Sequence, residues 1–316
     1  MTANGKYYTM DHHIMNDIEV QDMEKNYELL SKEAVMHGPL EALFCCIGNP
    51  VIGNPTQLMM EAAFRAMLFP ARYLTCTVTD DHVKGAIDGI KALGFTGANV
   101  TAPHKVSVIP FLDGLTESAR LSGAVNCIIR RGDSYIGDNT DGKGFLTSIE
   151  VIKPVKDMKV LVIGAGGAAR AIITELALHG AKEIVIANRT VEKAQQIIDR
   201  IAPHVKTKLD KDALVRPYRI KDDYDLVVQA TSVGLFDPEG SLDITWEPSR
   251  KQRIAADVVF NPVRTHFLAS AEAAGATPVD GLGMLVYQGA IAVSQWTGKD
   301  PDFLVMKTSL EEAFTI

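Results

Sequence analysis

The chain has no excess of basic charge. Lys and Arg number 32 against 39 Asp and Glu, a formal net charge of −7. Nucleic-acid and anionic-membrane binders usually carry a basic footprint, so this balance points away from both partners. Cysteine is also scarce: four in 316 residues, at Cys45, Cys46, Cys76 and Cys127, with no C-x-x-C pair. That excludes a disulfide framework and favours buried free thiols in a reducing compartment. No apolar run approaches the length of about 20 residues needed to span a bilayer. Residues 1–40 are polar and lack the basic start and apolar stretch of a signal peptide, so they read as an N-terminal extension and the protein as cytoplasmic. Repeats and low-complexity tracts are missing as well. What remains is 47% apolar and 22% charged residues, an ordinary globular mix. The length suits one large or two modest domains of about 150 residues each.

Within the extension, Asp17 to Met36 carries a thin helical stripe, and His12 and His13 read as surface residues rather than metal ligands; no metal site is expected. Ordered structure is expected from Ala42. Leu43 to Ile47 is a short apolar run ended by Gly48-Asn49-Pro50, the pattern of a buried strand and turn. Leu58 to Leu68 reads as a helix, with Met59, Met60 and Met67 as packing residues, Tyr73 to Val78 as a strand, Val83 to Leu93 as a helix stopped by Gly94, and Gly97 to Val100 as a strand. A second alternating unit begins near Lys159, with strands at Val160 to Ile163, Glu183 to Ala187, Asp225 to Ala230 and Ala255 to Val259. A helix is expected over Ala171 to His179, and another over Leu285 to Trp296 followed by a short tail. Alternation of this kind indicates α/β layers with mostly parallel sheets.

The loop Gly164-Ala165-Gly166-Gly167-Ala168-Ala169 follows a strand and opens a helix, and it matches G-x-G-x-x-A. The first glycine permits the tight turn, the second lets backbone approach a pyrophosphate, and the small third residue lets helix and strand pack closely. The helix N-terminus then offers N–H groups to phosphate oxygens. An NAD site places Asp or Glu about 20 residues further on, at the end of the next strand. Here that strand ends in Asn188-Arg189-Thr190, with Lys193 one turn later. Arg189 can bind a 2′-phosphate bidentately where a carboxylate would repel it. Thr190 can cap the next helix and donate to phosphate. The expected cofactor is NADP (NADPH).

Polar clusters lie at other strand ends: Asn99-Val100-Thr101-Ala102-Pro103-His104-Lys105, Gly123-Ala124-Val125-Asn126 and Gly137-Asp138-Asn139-Thr140-Asp141-Gly142. Open α/β sheets place ligands at such ends. A Lys and an Asp meeting in a cleft suit hydride transfer at a carbinol carbon, where the oxygen must gain or lose a proton. His104 reads as a pocket-wall or surface residue, and Trp296 and Phe267 as core.

Taken with Ile47-Gly48-Asn49-Pro50, Ala230 to Gly234 and Gly283 to Gln288, these segments resemble the shikimate dehydrogenase family, quinate/shikimate dehydrogenases included, from about Cys46 to Gly298. The resemblance implies two α/β domains flanking a cleft, an N-terminal substrate domain and a Rossmann-type NADP-binding domain. The expected boundaries are 1–40 for the extension, 41–143 with 285–316 for the substrate domain, whose C-terminal helix returns to it, and 144–284 for the NADP domain. It implies reversible reduction of 3-dehydroshikimate to shikimate by NADPH, on the route to aromatic amino acids. Lys105 and Asp141 would be the catalytic pair. Asn99, Thr101, Asn126 and Gln288, the last near the start of its helix, would contact substrate. Gly164, Ala165, Gly166, Gly167 and Ala168 would hold the pyrophosphate, and Asn188, Arg189, Thr190 and Lys193 the 2′-phosphate. Thr231, Ser232, Val233, Gly283 and Met284 would surround the nicotinamide. The expected partner is a small ring acid, with no nucleic acid or membrane, and the protein a monomer or homodimer.

Two departures from the family pattern bear on the substrate. The family usually has two serines after Pro50 that grip the substrate carboxylate; here Asn54 and Thr56 stand in their register, with Pro55 between. The family often has Tyr where this chain has Phe260. Quinate or another shikimate-like ring acid therefore stays open as the substrate, as does a non-catalytic NADP-sensing role.

Overall fold

The computed structural model describes residues 41–248 and 252–314, and Leu43–Ile316 clusters as one compact unit. The stripe at Asp17 to Met36 and the histidine pair lie outside the described residues. Two six-stranded sheets organise the unit.

The first sheet takes β1 (Ala42–Gly48), β2 (Ala71–Thr77), β3 (Gly97–Val100), β4 (Gly114–Leu115), β5 (Cys127–Arg131) and β6 (Ser134–Asp138), in the order β2-β1-β3-β5-β6-β4. Apolar side chains of β1, β3 and β5 pack with Val83, Ile87 and Ile90 of helix α2 (Val83–Ala92) into one core. Helix α1 (Thr56–Ala66) buries Met59, Met60, Ala63 and Phe64. Helix α3 (Glu117–Ser122) is capped by the Thr116 side chain and ends on Gly123. This sheet is parallel apart from one strand, with β1 beside β3 and β4 beside β6 running parallel. β3 and β5 run antiparallel, as do β5 and β6, because β5 returns to β6 by a hairpin instead of a helical crossover.

Helix α4 (Thr140–Glu150) leads to the second sheet: β7 (Lys159–Ile163), β8 (Glu183–Asn188), β9 (Lys208–Ala213), β11 (Leu226–Gln229), β13 (Ile254–Asp257) and β14 (Thr277–Val279). β10 (Tyr218–Ile220) and β12 (Ile244–Trp246) pair separately. Every pairing in the six-stranded sheet is parallel. Its order, β14-β13-β11-β7-β8-β9, is 3-2-1-4-5-6 when its strands are counted along the chain. Both faces are covered, as parallel sheets require. Val160 and Val162 join one core with Ile172 and Leu176 of α5 (Gly167–Leu178), while Leu161 and Ile163 join the other with Phe267 and Leu268 of α7 (His266–Ala273). Helix α6 (Val191–Ile201) turns Ala194, Ile197 and Ile201 inward.

Helix α8 (Gly281–Thr297) returns to the first sheet: Trp296 Nε1 donates to Ile128 O at 2.9 Å, and its ring lies 4.9 Å from Phe44. α8 begins at Gly281 rather than Leu285, because the Asp280 carboxylate caps Leu282 and Gly283. Gln288 therefore sits a turn or more inside the helix. The expected tail is instead largely helical, forming α9 (Phe303–Phe314), which buries Met306 and Leu310.

Candidate active site

The reversal of strand order falls between β7 and β11, and Gly164 and Ala230 follow their carboxyl ends. Ligands of open α/β sheets bind in the crevice at such a point. Gly164 has φ +117, and a Cβ there would stand 2.7 Å from Ala230 O, so only glycine serves. α5 starts at Gly167, four residues before the expected Ala171, because the last half of the glycine loop is already its first turn. Among the described residues, no side chain caps that helix, and the space beside Gly166 and Gly167 is open to at least 4 Å. Uncapped N–H groups beside open space form a cradle for a pyrophosphate.

Asn188, Arg189 and Thr190 close β8, and Arg189, Thr190 and Lys193 are exposed. Thr190 occupies the cap position of α6, but its side chain makes no capping bond; Asn188 Nδ2 donates to the Thr190 carbonyl instead. Thr231, Ser232 and Val233 follow β11, tied down by Gln229: its Nε2 donates to Val233 O at 3.0 Å, and its Oε1 accepts from Thr231 N at 2.5 Å. Gly283 and Met284 lie in the first turn of α8.

A cleft of about 450 Å³ brings together ten of the expected residues: Asn54, Thr56, Asn99, Thr101, Lys105, Asn126 and Asp141 with Ala168, Met284 and Gln288. The remaining expected cofactor residues do not line it. Lys105 Nζ lies 2.6 Å from Asp141 Oδ2, both partly accessible to solvent. Asp141 is set in the first turn of α4, where the Asn139 side chain accepts from Asp141 N at 3.1 Å. Asn126 Nδ2 donates to Asp141 Oδ1 at 2.8 Å, to Thr140 Oγ1 at 3.0 Å and to Gln288 Oε1 at 3.3 Å. Its Oδ1 accepts from Thr140 N at 2.6 Å. A single amide thus ties β5, α4 and α8 around the carboxylate. α4 and α8 meet backbone to backbone at Gly144, where a Cβ would stand 2.5 Å from Gln288 N.

Nearby charges are paired within the scaffold. Burial pushes the Asp138 carboxyl up, but the Lys143 ammonium and hydrogen bonds from Lys143, Thr116 and Gln295 outweigh it and hold the group below its usual range. Burial raises the Cys46 thiol to about 12, only partly offset by Lys105, so it faces the cleft uncharged. His104 is fully buried rather than on the pocket wall or surface. Its Nε2 bonds Val78 O at 2.6 Å, anchoring the loop that carries Lys105.

Sequence reasoning missed Tyr73, whose hydroxyl donates to Asn99 Oδ1 at 2.6 Å and fixes that amide. It also missed the apolar walls Ile52, Phe236, Val258 and Leu285, which come from loops and a helix start with no periodic signal. Phe260 lines the cleft as well.

A Rossmann sheet whose dinucleotide crevice opens beside a Lys–Asp pair defines a nucleotide-dependent oxidoreductase. Three family matches run in order along the chain: the shikimate dehydrogenase substrate binding domain over residues 46–128, shikimate / quinate 5-dehydrogenase over 148–236, and the shikimate 5′-dehydrogenase C-terminal domain over 281–311. The chain belongs to the shikimate dehydrogenase family. It is 41% identical over 274 residues to the shikimate dehydrogenase (NADP(+)) of Methanopyrus kandleri, covering 84% of this chain and 93% of that one. Among solved structures, 5-ketofructose reductase of Gluconobacter sp. strain CHM43 is 41% identical with TM-score 0.84, covering 88% of this chain and all of that one. Shikimate 5-dehydrogenase of Thermus thermophilus in complex with NADP(H) and shikimate is 30% identical with TM-score 0.76, covering 86% of this chain and 99% of that one.

Proposed function

We propose that this chain is an NADP-dependent shikimate dehydrogenase, interconverting 3-dehydroshikimate and shikimate with NADPH as hydride donor. The observation that carries this reading is the Lys105–Asp141 pair, 2.6 Å apart in a cleft that also touches the glycine-loop helix through Ala168. Residues 41–143 with 285–316 act as the substrate lobe and 144–284 as the NADP lobe. The enzyme works as a monomer or homodimer in the cytoplasm. Among the described residues, no helix is long and apolar enough to cross a membrane.

The open, uncapped start of α5 fits a dinucleotide pyrophosphate. Gly164, Ala165, Gly166, Gly167 and Ala168 would hold it, Asn188, Arg189, Thr190 and Lys193 the 2′-phosphate, and Thr231, Ser232, Val233, Gly283 and Met284 the nicotinamide side. When bound, NADPH supplies the hydride. The chain's own residues handle the proton. Lys105 donates to the carbonyl oxygen as it becomes an alcohol, and Asp141 holds the ammonium in place and helps return a proton from solvent. Asn126 fixes Asp141, Asn99 and Gln288 hold substrate hydroxyls with Thr101 beside them, and Phe236, Phe260 and Met284 exclude water from the reacting side. The test is NADPH oxidation at 340 nm by the full chain with 3-dehydroshikimate, and the reverse with shikimate and NADP. No turnover in either direction would refute the reading.

A further inference from the structure

The end of the cleft formed by residues 52–56 is poor in groups that bind an anion. Among the described residues, Lys105 and Asp141 are the charged side chains that line the cleft; they cancel formally and already bond each other. The start of α1 is the other natural anion site, and its N–H groups are largely occupied. Asn54 Oδ1 accepts from Thr56 N at 2.9 Å, and Pro55 O lies within hydrogen-bonding distance of Leu58 N and Met59 N. Pro55 itself has no N–H. Asn54 Nδ2 is directed to Cys46 Sγ at 3.8 Å. The surrounding wall is apolar: Ile52, Phe236, Val258, Phe260 and Leu285. Among the described residues, a carboxylate placed there meets no cation other than the paired Lys105, so the acid of the proposed reaction is held by neutral donors alone and shares the cleft with Asp141.

The other polar side chains that line the cleft are neutral amides and hydroxyls, on Asn54, Thr56, Asn99, Thr101, Asn126 and Gln288, and the four amides also bond within the scaffold. Such groups both donate and accept, which matches alcohol hydroxyls better than a carboxylate, a pure acceptor. A site built on hydroxyl pairing selects strongly by it.

We propose that this cleft also reduces an uncharged polyhydroxylated ketone, a sugar-derived substrate without a carboxylate. This rests on the hydride-transfer reading above. The balance is the same: the carbonyl carbon gains a hydride from NADPH, its oxygen gains the Lys105 proton, solvent restores that proton, and the products are NADP+ and a secondary alcohol.

The experiment measures kcat/KM of the full chain for NADPH oxidation with 5-ketofructose and with 3-dehydroshikimate. It is repeated with Asn54→Ser and Phe260→Tyr, each checked for unchanged NADPH binding by fluorescence. The expected result is a value for 5-ketofructose of at least one tenth of that for 3-dehydroshikimate. Each variant should shift the ratio at least tenfold towards the acid, since each restores the residue type that the shikimate dehydrogenase pattern carries at that position. A 5-ketofructose value below one tenth, or variants that leave the ratio unchanged, overturns the proposal while leaving the dehydrogenase reading standing. No oxidation with either ketone overturns the dehydrogenase reading and this inference with it.

Discussion

Lys105 and Asp141 are 36 residues apart in sequence and 2.6 Å apart in space. Their meeting requires three separate placements. His104 pins the Lys105 loop to Val78, Asn139 caps the turn that holds Asp141, and Asn126 joins that turn to α8. An ion pair held this way is preorganised rather than assembled on binding, so little reorganisation is needed when a carbonyl oxygen approaches the ammonium.

Removing either partner should therefore damage chemistry more than binding. Lys105→Ala and Asp141→Asn are expected to lower kcat by roughly 10²–10⁴-fold, the range for a lost general acid or base. NADPH affinity, read by nucleotide fluorescence, should stay within a factor of about three, well under the tenfold that 1.4 kcal/mol would produce. A variant retaining most of its kcat would remove the pair from the mechanism.

Arg189 stands exposed just past β8 and is the residue proposed above for the 2′-phosphate. Arg189→Ala should weaken NADPH by about 1.5–3 kcal/mol, the range for a hydrogen bond to a charged group, and leave NADH nearly unchanged. Calorimetry with both nucleotides decides the matter. Equal losses would place the 2′-phosphate elsewhere.

Much of this was legible in sequence because local rules agreed with tertiary structure. The β7 run, the glycine loop and the β8 end could be read directly, since a parallel strand buried on both faces is continuously apolar and its turn demands glycine at φ +117. The polar strand ends at Asn99, Lys105, Asn126 and Asp141 were legible too, and the cleft brings them together. The misses were of another kind. The hairpin β5–β6 reverses one strand within the otherwise parallel first sheet, a detail that the apolar runs do not specify. Asp280 moves the start of α8 back by a turn, so Gln288 points into the site from inside a helix. Tyr73 reads from sequence only as the start of a strand, and it is the fold that brings its hydroxyl to Asn99.

The contact of α4 with α8 at Gly144 gives a prediction linking packing to catalysis. A methyl group there meets Gln288 backbone at 2.5 Å, so the helices must separate. Gly144→Ala should cost about 1–3 kcal/mol, the usual range for overpacking, read as a lower urea midpoint. It should also lower kcat, because Asn126 bridges Asp141 and Gln288 across that contact. Unchanged stability and rate would mean that the helices close over the extra carbon.

Asp257 supplies a pH test. Burial at the end of β13 raises its carboxyl to about 6, against the opposing hydrogen bonds from Thr265 Oγ1 at 2.7 Å and Val259 N at 2.9 Å. The folded value lies above the unfolded one of 3.8, so the folded state holds this proton more tightly. Its contribution is fully present below pH 3.8, falls as pH rises towards 6, and is lost above that. A shift of about two units corresponds to roughly 3 kcal/mol at 1.36 kcal/mol per unit, as an order of magnitude. Asp257→Asn keeps a donor and an acceptor but no charge. The difference in unfolding free energy between wild type and variant, from urea titrations between about pH 4 and 7, cancels all other titrating groups. It should move against the wild type by a few kcal/mol across that window, the size of the shift just given. Parallel profiles would show that this carboxyl titrates at its ordinary value in the folded protein.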